Sequence, residues 1–237
     1  TKYCVDKHNT TTIHWACRIT AHITPATNNN YAYMTISAKH GVAHILNIMM
    51  LLHAYNGSNL QSNLNSISNS KMHEVAHKAA EHGHLNCLKV MHNRGHVFNE
   101  ITCAAIARSG NLDGLKWIRL QKCPWDETTC EAAALNGHLE VLKWIREKEC
   151  PWNNITCEAA ALNGHFEVLK WARAQNPPCP WNESTCWAAA FNGHLDILKW
   201  ARSQNCPWDT WTCMAAAHNG HGAVLNWARN NGCRWNE

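Results

Sequence analysis

Apolar and polar positions along most of the chain follow one short cycle. Between Asp126 and Leu135, Cys130, Ala133 and Ala134 fall at the i, i+3, i+4 spacing of a helix face, and Asp126 ahead of them is a good N-cap. The spacing predicts a short first helix. Asn136-Gly137 ends it, because glycine tolerates the left-handed conformation that closes many helices. Leu139, Val141, Leu142, Trp144 and Ile145 then supply the broad apolar face of a second helix. Cys150-Pro151-Trp152 stops that one, since proline lacks a donor and disfavours helix in the residue before it, and Asn153 opens the next cycle.

The cycle recurs with little variation. Gly83, Gly110, Gly137 and Gly164 stand 27 residues apart, Gly193 follows after 29, and Gly220 after a further 27. The two extra residues fall within Asn176-Pro-Pro-Cys179, where a loop can absorb them. Six units are counted, starting near His73, Asn99, Asp126, Asn153, Asn182 and Asp209. Neither helix of a unit exceeds about ten residues, too short to persist alone in water, so each pair must be stabilised by its neighbours. Alanines at 132–134, 159–161, 188–190 and 215–217 let adjacent first helices approach closely. The expected fold class is all-α, an α-solenoid of stacked helix-turn-helix units.

Residues 129–144, Thr-Cys-Glu-Ala-Ala-Ala-Leu-Asn-Gly-His-Leu-Glu-Val-Leu-Lys-Trp, resemble the core of ankyrin repeats, in which an Ala-Ala pair precedes Asn-Gly-His-Leu-Glu-Val. The resemblance covers residues 73–237. The unit is shorter than the ankyrin period of roughly 33 residues, and Cys-Pro-Trp-(Asp/Asn) replaces the family's hairpin, so β-fingers are expected to be short or absent. This Cys-Pro-Trp variety is similar to arrays encoded in large numbers by giant DNA viruses and some protists. The resemblance implies a protein-binding scaffold. It also implies that His138, His165, His194 and His221 satisfy backbone groups near the inter-helix turn.

The N-terminal third is less regular. Residues 1–36 carry no clear period and stay unassigned. Ala38-Lys-His-Gly-Val-Ala-His-Ile-Leu-Asn-Ile48 parallels Ala80-Glu-His-Gly-His-Leu-Asn-Cys-Leu-Lys-Val90, so residues 37–72 read as a degenerate repeat followed by an Asn/Ser-rich loop at 56–70. The unit near His73 departs from the template, with His96 and Phe98 where later units have Cys and Trp. Trp235-Asn236-Glu237 repeats the opening of a unit, so the chain is expected to belong to a longer array.

Composition narrows the function classes. The longest apolar run, Ile45 to Ala54, contains Asn47 and His53 and falls short of the roughly 18 residues of a membrane span. No signal-peptide layout opens the chain. Of the thirteen cysteines, ten lie between Cys103 and Cys233 at repeat-equivalent positions, a pattern of core packing in a reducing compartment. The expected setting is the cytoplasm, that of the host if the source is viral. Cys123, Cys130 and His138 are seven and eight residues apart, unlike the close pairs of a zinc site, so neither metal nor cofactor is expected. No nucleophile with an orienting acid recurs beside the histidines, so no catalytic residue is nominated and an enzyme is not expected. Disulfides between equivalent cysteines are excluded, since stacked helices lie roughly 8–10 Å apart and a disulfide needs Cα atoms within about 7 Å.

Twelve of the thirteen tryptophans lie between Trp117 and Trp235. Trp117, Trp144, Trp171, Trp200 and Trp227 recur on the second helix, and Trp125, Trp152, Trp181, Trp208 and Trp235 at the junction; a fixed phase reads as core packing. Lys116, Lys143, Lys170 and Lys199, with Arg119, Arg146, Arg173, Arg202 and Arg229, form a basic stripe near the second-helix C-termini. Cations there complement the helix dipole, and Glu140, Glu167 and Asp196 lie i, i+3 from three of the lysines. A nucleic acid or other polyanion on this stripe is the secondary functional reading.

The informative positions are those that change while the scaffold repeats. Glu131/Leu135, Glu158/Leu162, Trp187/Phe191 and Met214/His218 are i, i+4 pairs on one helix face, and successive units align them into a stripe. Trp211, read as part of the preceding junction, adds to it. The expected partner-binding residues are Trp187, Phe191, Trp211, Met214, His218, Glu131 and Glu158, on the concave side of the stack. The alternative for Trp187 and Phe191 is that they fill a gap beside the Pro177-Pro178 insertion. The expected role is a monomeric protein-interaction scaffold whose partner is another protein.

Overall fold

In a computed structural model of the chain, the structure describes residues 29–47, 50 and 65–235, which fall into two compact units divided after Phe98. Among these residues the regular structure is helical throughout.

In the first unit α1 (Asn29–Lys39) packs on α2 (Asn65–Glu81), and α2 on α3 (Leu85–Asn93). The residues after α1 turn as those after α2 do. Val42 N–H donates to the Ser37 carbonyl at 2.9 Å and His84 N–H to that of Ala79 at 2.8 Å, with Gly41 and Gly83 both at φ +71°. Met34, Ala38, Leu46, Val75, Ala76 and Ala79 form the buried centre. Two expectations change here. Residues 29–36 of the unassigned stretch are helix, and 65–70, read as loop from their Asn/Ser content, are the first turns of α2. The face made by Met72, Val75, Ala76 and Ala79 supports a helix, and no Pro or Gly between 65 and 72 stops it from extending backward. Residues 1–28 and 56–64 lie outside the described residues.

Where later units have Cys, this unit has His96, its ring centroid 4.9 Å from that of His73 and edge-on to Phe98. Burial, and then the neighbouring His73, push His96 down to about 4. The folded unit therefore binds fewer protons than the unfolded chain between pH 6.5 and 4, and loses stability as pH falls through that window. We expect a loss of about 1–2 kcal/mol there, discounted for partial exposure. His96→Cys should flatten it, which urea melts at pH 7 and pH 4.5 would read.

The second unit is five helix pairs: α4 (Glu100–Arg108) with α5 (Leu112–Leu120), α6 (Glu127–Leu135) with α7 (Leu139–Glu147), α8 (Asn154–Leu162) with α9 (Phe166–Arg173), α10 (Glu183–Phe191) with α11 (Leu195–Ser203), and α12 (Thr210–His218) with α13 (Gly222–Asn230). Each first helix starts at an extended Asn or Asp whose side chain accepts a first-turn N–H, as Asn153 does from Ile155 at 2.9 Å. A three-residue turn folds the pair back on itself: Gly137 N–H bonds to Ala134 and His138 N–H to Ala133. Each second helix ends in a reverse bond that sets the junction cysteine, as Cys150 N–H to the Ile145 carbonyl at 3.0 Å. Across the insertion the same bond runs from Cys179 to Ala172, the two extra residues bulging outward while the cysteine keeps its place.

First helices of successive pairs pack directly, α4 on α6, α6 on α8, α8 on α10 and α10 on α12, and the second helices lie farther apart. The alanines explain the close approach: Ala132, Ala133 and Ala134 in α6, and the alanines at 159–161 in α8 and 188–190 in α10, are buried with no side chain beyond Cβ to hold neighbours off. Leu142, Ile145, Leu169, Ile197 and Leu198 fill the space between the helix rows. Buried thiols join the two ends of a unit, since Cys150 Sγ–H donates to the Asp126 carbonyl at 3.3 Å and Cys179 Sγ–H to that of Asn153 at 3.4 Å.

Between pairs, the histidines act as expected and reach further. A carbonyl can only accept, so Nε2 carries the proton: His165 donates to the Leu135 carbonyl of the preceding pair at 3.0 Å, and His194 to Leu162 at 3.1 Å. Asn163 and Asn192 donate to the same two carbonyls, each at 2.7 Å. One pair thus caps the first helix of the pair before it.

Candidate functional site

The described tryptophans are not core. Trp144, Trp171 and Trp200 on the second helices, and Trp125, Trp152 and Trp181 at the junctions, are all half-buried. They meet edge to face, Trp152 and Trp171 at 6.1 Å and Trp181 and Trp200 at 5.9 Å between ring centroids. An arginine covers the junction rings of Trp125, Trp152, Trp181 and Trp208: the Arg146 guanidinium lies 4.1 Å from the Trp152 centroid and donates to the Cys150 carbonyl, and Arg173 sits the same way over Trp181 with the Cys179 carbonyl. A fixed helical phase marks any face that packs, including one that packs only against a flat cation and a second ring at the surface.

The basic stripe is therefore occupied in large part by its own scaffold. Arg119, Arg146, Arg173 and Arg202 lie on tryptophans, and Lys143 and Lys170 pair with Glu140 and Glu167 at 2.7 and 2.5 Å. An open cleft of about 450 Å³ on this side is lined by both signs of charge, Lys116, Arg119 and Lys148 against Glu147 and Glu149.

The cysteines among the described residues are buried free thiols. Cys130, Cys157 and Cys186 are held protonated well above the usual thiol range, first by hydrogen bonding with the junction cysteines and then by burial. Among the described residues no group of three or more His, Cys, Asp or Glu could hold a metal ion. No described helix is long and apolar enough to cross a membrane.

The first-helix face is different in kind. Trp211 is 60% exposed and Met214 43%, a degree of exposure that large apolar side chains in these helices reach only here and at Ile101 and Ile155. Trp187 and Phe191 are half-buried and touch each other, 5.1 Å between ring centroids. His218 is exposed beside them in sequence register. Trp211 is in the first turn of α12, with its N–H on the Asp209 carboxylate, and not in the junction.

Glu131 and Glu158 occupy the same register two and one pairs earlier and are half-buried. Partial burial raises both carboxyls above the usual range; for Glu158 the neighbouring Glu131 adds to the rise, whereas for Glu131 a hydrogen bond with Asn153 opposes it and Glu127 and Asp126 add to it. Neither is in any ion pair among the described residues.

Sequence reasoning missed one column. Ile101, Thr128, Ile155, Ser184 and Trp211 fall three residues before Ala104, Glu131, Glu158, Trp187 and Met214, so i, i+3, i+7 places them on the face of Arg108, Leu135, Leu162, Phe191 and His218. Ile101 is 57% exposed and Ile155 44%. The period was available, but the first helical turn was counted with the cap.

The sequence matches no protein-family model and no curated protein. Among solved structures it is similar to the human ASB11 ankyrin repeat domain, at 14% identity and a TM-score of 0.49, over 73% of this chain and 84% of that one. At that distance the helix-pair stack described above, and not the neighbour, defines the class of the second unit: an all-helical repeat array.

Proposed function

We propose that the chain is a protein-binding scaffold of the ankyrin-like kind and that the first-helix face of residues 99–235, on the concave side of the stack, holds the partner. One observation carries this reading. The positions facing inward repeat almost without change, whereas the outward pair is Glu/Leu in both α6 and α8 and then becomes Trp187/Phe191 in α10 and Met214/His218 in α12, with Trp211 exposed in the first turn of α12. A scaffold kept only for stability would not place tryptophan at an exposed first turn, where it buries little of its area.

The test is capture of partners from lysate on immobilised chain, wild type against Trp187→Ala/Trp211→Ala. Hot-spot aromatics should cost about 2 kcal/mol or more together, a loss of roughly 30-fold in affinity, with an unchanged thermal midpoint. Unchanged capture by a folded double variant would remove the face from consideration. The free, protonated thiols favour a reducing, intracellular setting. Binding to heparin that persists in low salt and is lost in Lys143→Glu/Lys170→Glu would favour the polyanion reading instead.

A further inference from the structure

Charge in the second unit is segregated by helix row. The first helices and their caps carry seven carboxylates, Glu127, Glu131 and Glu158 among them, against one guanidinium, Arg108. The second helices carry nine lysines and arginines against five acids. Within the first row the chemistry also changes along the stack. Acids dominate the pair opened by Asp126 and continue at Glu158, and large apolar side chains take over at Trp187, Phe191, Trp211 and Met214.

Building on the proposed binding face, we infer that its partner presents a peptide segment with two parts: an aromatic or aliphatic anchor seated on Trp187, Trp211 and Met214, and lysines or arginines that follow at intervals toward Glu158 and Glu131. Complementarity to this face fixes both parts. The acids are half-buried, adjacent and without a cation of their own, so a cation laid between them relieves their repulsion and returns their lost solvation. The anchor covers the exposed aromatics. Stacked helices are about 8–10 Å apart and an extended chain advances about 3.3 Å per residue, which places the cations about three and six residues from the anchor.

A random phage-displayed peptide library of about twelve residues, long enough to cross three to four repeats, is the probe. Selected on the full chain at low salt, it should be enriched for an anchor with basic residues at those two intervals. A synthetic peptide of the selected sequence should bind about tenfold more weakly to Glu131→Gln/Glu158→Gln, and should weaken further as salt is raised. Peptides that need Trp187 and Trp211 but are neutral or acidic, or are indifferent to the glutamine variant, overturn the two-part segment and leave the binding face intact. Peptides indifferent to Trp187→Ala/Trp211→Ala, or no enrichment at all, overturn both.

Discussion

Gly164→Ala is expected to lower the stability of the second unit by about 2–3 kcal/mol, far more than a methyl group on a surface turn ordinarily does. Two costs combine. The residue sits at φ +76°, and the added Cβ would lie 2.7 Å from the His194 ring. The ring must move, and the Leu162 carbonyl then loses its 3.1 Å bond from Nε2. Gly220 is the internal control: it has φ +75° but no atom within 4 Å of such a Cβ, so Gly220→Ala should cost only the backbone part, about 1 kcal/mol. Guanidinium melts of the two variants measure the difference, and equal losses would refute the part assigned to the histidine.

The second large effect separates the core from the tryptophan ladder. Leu169→Ala should cost about 3–4 kcal/mol, since the side chain is fully buried between the helix rows and the alanine-lined surroundings cannot collapse into the space. Trp171→Ala, two residues along the same helix, removes a larger group yet should cost only about 1–2 kcal/mol, because the ring is half-buried and its principal partner is the edge of Trp152. Denaturant midpoints for the two variants in one background decide it. A larger loss for Trp171→Ala would restore the tryptophans to the core.

Most of the architecture was legible because it rests on local rules that repeat. Caps such as Asp126 and Asn153, the glycine turns and the Cys-Pro stops each act within a few residues, and a stacked array multiplies them without adding long-range pairing. What the sequence concealed was depth. Trp144 and Ile145 are neighbours on one helix, and periodicity assigns both to the packed side, but Ile145 is enclosed while Trp144 lies at its edge against Trp125. Composition misled at Asn65–Ser70, where polar residues on an uninterrupted helix look the same as polar residues in a loop. In the candidate site, Trp187 and Phe191 could be read from their departure from the Glu/Leu pair of the two preceding units, because variation against a constant scaffold needs no coordinates. Ile155 could not be separated from the cap until the start of α8 was known.

The direction of the bonds between pairs has a temporal consequence. His165 and Asn163 reach back to Leu135, and His194 and Asn192 to Leu162, so the donors always come from the later part of the chain. On a ribosome, the carbonyl at the end of a first helix waits for about thirty further residues, roughly 2–6 s of elongation, before its own chain supplies them. Water serves it until then. Growth therefore locks each module only when its successor has emerged, and the newest one at any moment is the loosest.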